Sequence, residues 1–229
     1  KTGNAGSNTF STVHIMDTGK YYWRVQSIDP CFQASSFSEI DSFNIHGLFT
    51  LVETGMVDLF GGGNNWIDYN KDGLLDLYAF GVNGAQENES ILFLNYGADS
   101  FTEQNDMPFP GFRDGDSDWI DFNNDGWPDI IISGRYSGFY TGTTELYRNN
   151  GDNTFSLETG FSFPGFEFSS IDCGDYNRDG FTDIALSGSN METDNSNVLI
   201  FKNHKGLTFE IDTIIYPGIN PVVDWGDVD

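Results

Sequence analysis

Three nine-residue stretches of the chain carry oxygen-bearing side chains at matching places. Asp68, Asn70, Asp72 and Asp76 fill positions 1, 3, 5 and 9 of the first, with Gly73 at position 6. Asp121, Asn123, Asp125 and Asp129 repeat the pattern around Gly126, and Asp175, Asn177, Asp179 and Asp183 repeat it around Gly180. Carboxylate and amide oxygens alternating along a short loop are a donor set for a hard cation. Ca²⁺ takes six to eight oxygens, and the glycine permits the reversal that wraps it. The main-chain carbonyls of Leu74, Trp127 and Phe181, at position 7, complete the expected set. Asp227 and Asp229 begin a fourth copy, so the expectation is three complete Ca²⁺ sites and a truncated fourth. An Asp-Gly turn by itself needs no ion. It also has no use for a further Asp three residues later, which all three copies supply.

The loop shares positions 1, 3, 5 and 6 with an EF-hand but lacks the Glu at position 12 on a following helix. Residues suited to strands follow instead: Leu77-Tyr78-Ala79-Phe80, Ile130-Ile131-Ile132-Ser133 and Ile184-Ala185-Leu186-Ser187. The loops therefore join strands. Their first residues, Asp68, Asp121, Asp175 and Asp227, are 53, 54 and 52 residues apart. Other positions hold the same register: Trp66, Trp119, Cys173 and Trp225 before the loops, Gly81, Gly134 and Gly188 after them. Asn95, Asn149 and Asn203 lead to turn glycines, Phe101, Phe155 and Phe209 open the next strand, and Pro110-Gly111, Pro164-Gly165 and Pro217-Gly218 punctuate the way onward. Each period reads as four short strands, centred in the second repeat near 118–121, 129–133, 144–148 and 154–158. Four strands in roughly 50 residues is a propeller blade. The fold expected for residues 46–229 is all-β, a partial β-propeller with the Trp and Phe stripes in its core.

Composition narrows the function. Lys and Arg number 10 and Asp and Glu 35, a net charge of −25, which three Ca²⁺ would bring to −19. Such a surface excludes nucleic acid as a partner, since phosphate binding needs basic residues. No apolar run reaches membrane-span length, so no direct membrane insertion is expected. Aromatic residues make up 16% of the chain, too many for a disordered acidic segment. Cys31 and Cys173 are expected to be unpaired thiols. His14, His46 and His204 form no zinc pattern, and neither a Gly-x-Ser-x-Gly elbow nor a phosphate loop is present. Paired carboxylates are abundant, but carboxylates committed to calcium are poor general acids.

Residues 1–45 carry no such loop. Tyr21, Trp23 and Val25 alternate on one face of a strand, and a second strand is expected over 38–45. The segment from Gly19 to Asp29 resembles the penultimate strand of a fibronectin type III domain, and Phe37–Ile45 its last, which makes residues 1–45 the C-terminal part of a β-sandwich. The loops from residue 46 on, with the preceding Trp and the following Ser-Gly or Phe-Gly, resemble the FG-GAP/VCBS repeat. That repeat builds calcium-binding β-propellers, as in the heads of integrin α chains and in secreted bacterial surface proteins. The combination resembles exported multidomain proteins of Bacteroidetes-type bacteria. The resemblance implies calcium ligands at positions 1, 3, 5, 7 and 9 of each loop and about three blades of a usual seven. The remainder of a longer chain is thus an expected partner.

The function expected is a non-catalytic, secreted or cell-surface module that binds a protein or glycan ligand on a cell surface or matrix. Variable inserts at 82–90, 135–143 and 189–197 are the candidate contact loops. A glycan-active enzyme or its accessory domain is one alternative, and a structural spacer in a surface or secretion assembly is another. Because repeats touch mainly their neighbours, loss of Asp125 is expected to cost one ion and spare the other two.

Overall fold

The computed structural model describes residues 19–23, 38–45, 56–98, 100–136, 142–190, 195–216 and 221–226. The chain divides into two compact units, Lys1–Glu53 and Thr54–Asp229. In the first, β1 (Gly19–Trp23) pairs antiparallel with β2 (Asp41–Ile45), Gly19 opposite Ile45 and Trp23 opposite Asp41. Cys31, His14, His46 and the remainder of the expected β1 strand lie outside the described residues.

The second unit is built from three four-stranded antiparallel sheets, each a simple meander in chain order. The first holds β3 (Asn64–Ile67), β4 (Asp76–Val82), β5 (Asn88–Asn95) and β6 (Phe101–Gln104). The second holds β7 (Phe112–Ile120), β8 (Asp129–Tyr136), β9 (Thr143–Asn149) and β10 (Phe155–Leu157). The third holds β11 (Glu167–Gly174), β12 (Asp183–Asn190), β13 (Asn195–Asn203) and β14 (Phe209–Ile215). These are three blades of a partial β-propeller. All four strands expected in the second repeat are present. The first begins earlier than its sequence centre because a bulge between Arg113 and Asp116 carries pairing with β8 back to Phe112. β11 has a matching irregularity between Glu167 and Ser170.

The core lies between the blades. Tyr78, Phe80 and Leu92 of the first blade pack with Ile130, Ile132, Tyr147 and Phe155 of the second. Ile131 and Leu146 of the second pack with Ile184, Leu186, Leu199 and Phe201 of the third. β8 thus has apolar side chains on both faces, which explains its unbroken Ile130-Ile131-Ile132 run. Each large side chain fully buried there is worth about 1.5–3 kcal/mol, so inter-blade packing dominates over any single loop contact.

Side chains also stitch the first strands of successive blades. Ile171 N–H donates to Asp116 Oδ2 at 3.0 Å and Cys173 N–H to Asp118 Oδ2 at 2.8 Å. Trp225 N–H donates to Asp172 in the same way, one blade further on. Of the Trp stripe, Trp119 is packed between Tyr78 and Phe155, at 6.3 and 6.2 Å between ring centroids. Trp66 departs from the expected core role: it is 53% exposed, touching Phe101 of its own blade at 6.0 Å. Its repeat mate Trp119 is covered by the blade before it, and no blade precedes β3 among the described residues. Cys173 is a free thiol packed at the margin of the second cluster, and burial beside Asp118 and Asp172 pushes its pKa up.

Candidate cation loops

Each loop joins the first and second strands of its blade, so all three lie at the same end of the array. Position 2 fixes the loop to the core, with Tyr69 and Phe122 buried at 1% and 3% exposure. Tyr176, the third, is more open and stacks on Trp225, 5.6 Å away and 5° from parallel. Position 4 is left-handed in every copy, with φ of 61° at Lys71, 57° at Asn124 and 59° at Arg178. Position 6 follows with φ of 89°, 86° and 89° at Gly73, Gly126 and Gly180, a conformation open to glycine and strained for residues with a Cβ. Three different sequences therefore fold into one backbone shape.

That shape places the ligand candidates. Asp68 Oδ1 and Oδ2 accept the N–H groups of Asp72 and Gly73 at 3.0 and 2.9 Å. Asp121 does the same for Asp125 and Gly126, and Asp175 for Asp179 and Gly180. Asp72, Asp125 and Asp179 accept the position-7 N–H groups of Leu74, Trp127 and Phe181. Asn70 and Asn123 each bridge to the position-5 carboxylate at 2.9 Å, while Asn177 turns to donate to Asp183 Oδ2 at 2.9 Å.

Position 9 closes the loop from below. Asp76, Asp129 and Asp183 are the first residues of β4, β8 and β12 and are fully buried. One oxygen of each accepts the N–H of Asn95, Asn149 or Asn203, at 2.8 Å in all three blades. Burial is the main force raising these carboxyl pKa values, and the loop's own acids add to it. Asp76 is pushed up to about 6 and Asp129 to about 7, despite main-chain N–H groups that pull the other way, and Asp183 is raised likewise. No Lys, Arg or His among the described residues forms an ion pair with any of the three. Asp76 Oδ2 and Asn177 Oδ1 are buried without a hydrogen-bond partner.

These features fit a cation. Orphaned oxygens and unpaired buried carboxylates are costly unless a positive charge meets them. As placed, the acids of each loop are spread out, and among the described residues no three His, Cys, Asp or Glu side chains already form a metal cluster. The position-5 carboxylates of Asp72, Asp125 and Asp179 are exposed and so unhindered by packing. Lys202 Nζ stands 3.8 Å from Asp179, giving the third loop a positive neighbour. Asp227 and Asp229, the start of the fourth copy, lie outside the described residues.

Of the variable inserts, 82–90 forms the β4–β5 turn, at the end of the blade opposite the loops. It is held by Asn83, whose Oδ1 accepts the N–H groups of Ala85 and Glu87. The other two include residues outside the description, 137–141 and 191–194. Sequence reasoning marked Asn95, Asn149 and Asn203 as turn leaders and missed that they hold the position-9 carboxylates. Their recurrence in register with the loops was the available signal.

A chain of four-stranded blades with an acidic loop between the first two strands of each defines a repeat-built β-propeller protein. Residues 68–132 and 121–186 each match the FG-GAP-like repeat. The matches together span more than half of the chain, which belongs to the FG-GAP-like repeat family. No curated protein matches it.

Proposed function

We propose that this chain is a non-catalytic, extracellular, calcium-stabilised module that mediates adhesion or binds protein or glycan within a larger secreted surface protein. Membership of the FG-GAP-like repeat family supports the extracellular, adhesive class. The observation that carries the calcium reading is the set of three fully buried position-9 carboxylates, each beneath an acidic loop and without a cationic partner among the described residues. Asp68, Asn70, Asp72, the Leu74 carbonyl and Asp76 would hold the first ion. Asp121, Asn123, Asp125, the Trp127 carbonyl and Asp129 would hold the second, and Asp175, Asn177, Asp179, the Phe181 carbonyl and Asp183 the third. Calcium would offset two of the three carboxylate charges of each loop and lock the first two strands of its blade together. The pairing of β1 with β2 accords with a fibronectin type III-like end to residues 1–45.

Chelation tests the calcium reading. A ligand at a hundredfold excess over its Kd stabilises by about 2.7 kcal/mol per site, and each kcal/mol moves Tm by about 2–4 °C at this size. EGTA should therefore lower Tm by on the order of 15–30 °C. Magnesium should not restore it, being too small and too strictly octahedral. A melting curve unmoved by thorough chelation would refute calcium as the stabiliser.

A further inference from the structure

Asn149 and Asn203 each touch two loops. The main-chain N–H of Asn203 donates to Asp183 Oδ1 of the third loop at 2.8 Å. Its side-chain amide crosses to the second blade and donates to the carbonyl of Phe122 at 2.8 Å, between the ligand candidates Asp121 and Asn123. Phe122 N–H in turn donates to Asp129 Oδ2 at 3.3 Å. Asp129 Oδ1 accepts the N–H of Asn149 at 2.8 Å, and the Asn149 amide donates to the carbonyl of Tyr69, inside the first loop, at 2.9 Å. An unbroken run of hydrogen bonds thus passes from the third loop through the second to the first.

The two asparagines are rigid links. They are 2% and 1% exposed. Each amide also donates to the residue before its own position-9 Asp, at 3.2 Å to Pro128 and 3.0 Å to Thr182. Each amide oxygen accepts a turn N–H, from Gly151 at 2.9 Å or Gly206 at 2.8 Å. Neither side chain can turn without breaking buried bonds, so a shift of the carboxylate it holds is passed on to the neighbouring loop. A second contact reinforces each junction. Asn124 donates to the Gly180 carbonyl at 2.7 Å, and Lys71 Nζ lies 4.4 Å from the Trp127 ring centre. Asn95 is the internal contrast, because among the described residues its amide donates within its own blade, to the Leu75 carbonyl at 2.8 Å, and to no other loop.

We propose that the three loops take up cations as one coupled set, with Asn149 and Asn203 as the positioning residues that carry the coupling from blade to blade. The proposal rests on the calcium reading above and replaces the sequence expectation of independent sites. An ion in one loop holds its position-9 carboxylate and, through the asparagine, pre-shapes the loop before it.

The test uses residues 1–229 and terbium as the calcium probe. Trp127 stands within the second loop, where the other loops have Leu74 and Phe181. Terbium luminescence excited through tryptophan, less the signal that survives in Trp127→Phe, reports the second loop. Asp179→Asn weakens the third loop at an exposed ligand and should weaken terbium binding at the second by about tenfold. An Asn203→Ala background keeps the main-chain bond to Asp183 and leaves the contact of Asn124 with Gly180 at this junction. There Asp179→Asn should affect the second loop much less, and an undiminished effect would overturn the role of Asn203. Asn95→Ala should leave the coupling of the second and third loops intact, which separates coupling from general damage to the fold. If Asn203→Ala does not fold, Asp179→Asn alone decides: an unchanged second loop overturns the coupling. Three independent sites overturn the coupling while upholding the calcium reading. No terbium or calcium uptake at any loop overturns both.

Discussion

Gly111 and Gly165 show how a single missing atom fixes a blade. Each follows a proline in the linker that crosses the preceding blade. A Cβ at Gly111 would lie 1.9 Å from the Asn88 carbonyl oxygen, and one at Gly165 would lie 1.8 Å from that of Gly142. Those carbonyls are backbone at the start of the third strand of the blade just left, where nothing yields easily. Gly165→Ala should therefore cost about 3 kcal/mol or more. Gly160→Ala, where a Cβ would meet nothing within 4 Å, should change stability by less than about 0.5 kcal/mol. Urea unfolding of the two variants checks this, and equal midpoints would show that the linker can move aside. Sequence alone marked these Pro-Gly pairs as punctuation, because a close approach of two backbones leaves no other trace. The loops were more legible: Asp, Asn and Gly at fixed positions revealed the oxygen pattern and the turn. The left-handed position 4 was hidden, since Lys71, Asn124 and Arg178 share no residue type.

Between blades, the linkers act as wedges. Phe109, one residue before Pro110, meets Tyr78, Tyr147 and Phe155 with ring centroids 5.5, 5.0 and 5.2 Å away. Phe163, one residue before Pro164, meets Phe201 and Phe209 at 5.2 and 5.4 Å. Phe109→Ala should cost about 3–5 kcal/mol by opening the joint between the first two blades. Hydrogen exchange should then quicken in β4 and β8 before β12, whereas uniform quickening would mean that the three blades open as one unit. The strands themselves could be read from the sequence, because alternation, turn glycines and the repeat all pointed to the same places. The wedges went unread although Phe109 and Phe163 recur 54 residues apart, in register with the loops. A Phe beside Pro-Gly in a linker lies outside any strand alternation that would assign it a buried face. Nor were the inter-blade bonds of Asp116 and Asp118 legible, since their acceptor role depends on where the next blade's strand comes to lie. The exposure of Trp66 has the same origin. Its repeat mates Trp119 and Trp225 each lie against an aromatic ring of the preceding blade, Tyr78 or Tyr176, a contact that Trp66 lacks among the described residues.

At the scale of the whole array, the three outer strands differ sharply. β6 has four residues and β10 three, short edges that offer little template for pairing. β14 has seven, Phe209–Ile215, with Ile211, Ile214 and Ile215 each at least 45% exposed and Tyr216 beyond them at 77%. Glu210 and Asp212 interrupt the first half of β14, but the run from Thr213 to Ile215 carries no charge. Such an edge invites another chain to add a strand. Opposing it is the net charge of −25, which repels a second copy over a distance set by salt. Residues 1–229 should therefore stay monodisperse at low ionic strength and associate as salt screens the charge. Ile214→Glu places a like charge on the edge and should suppress association. Leu207→Glu adds the same charge at a turn residue that is 78% exposed, off the strand edge, and should not. Light scattering across a salt series separates the two. If both variants suppress association equally, net charge governs and the β14 edge has no special part. If the unsubstituted chain stays monodisperse at every salt concentration, the edge is closed to pairing despite its length and composition.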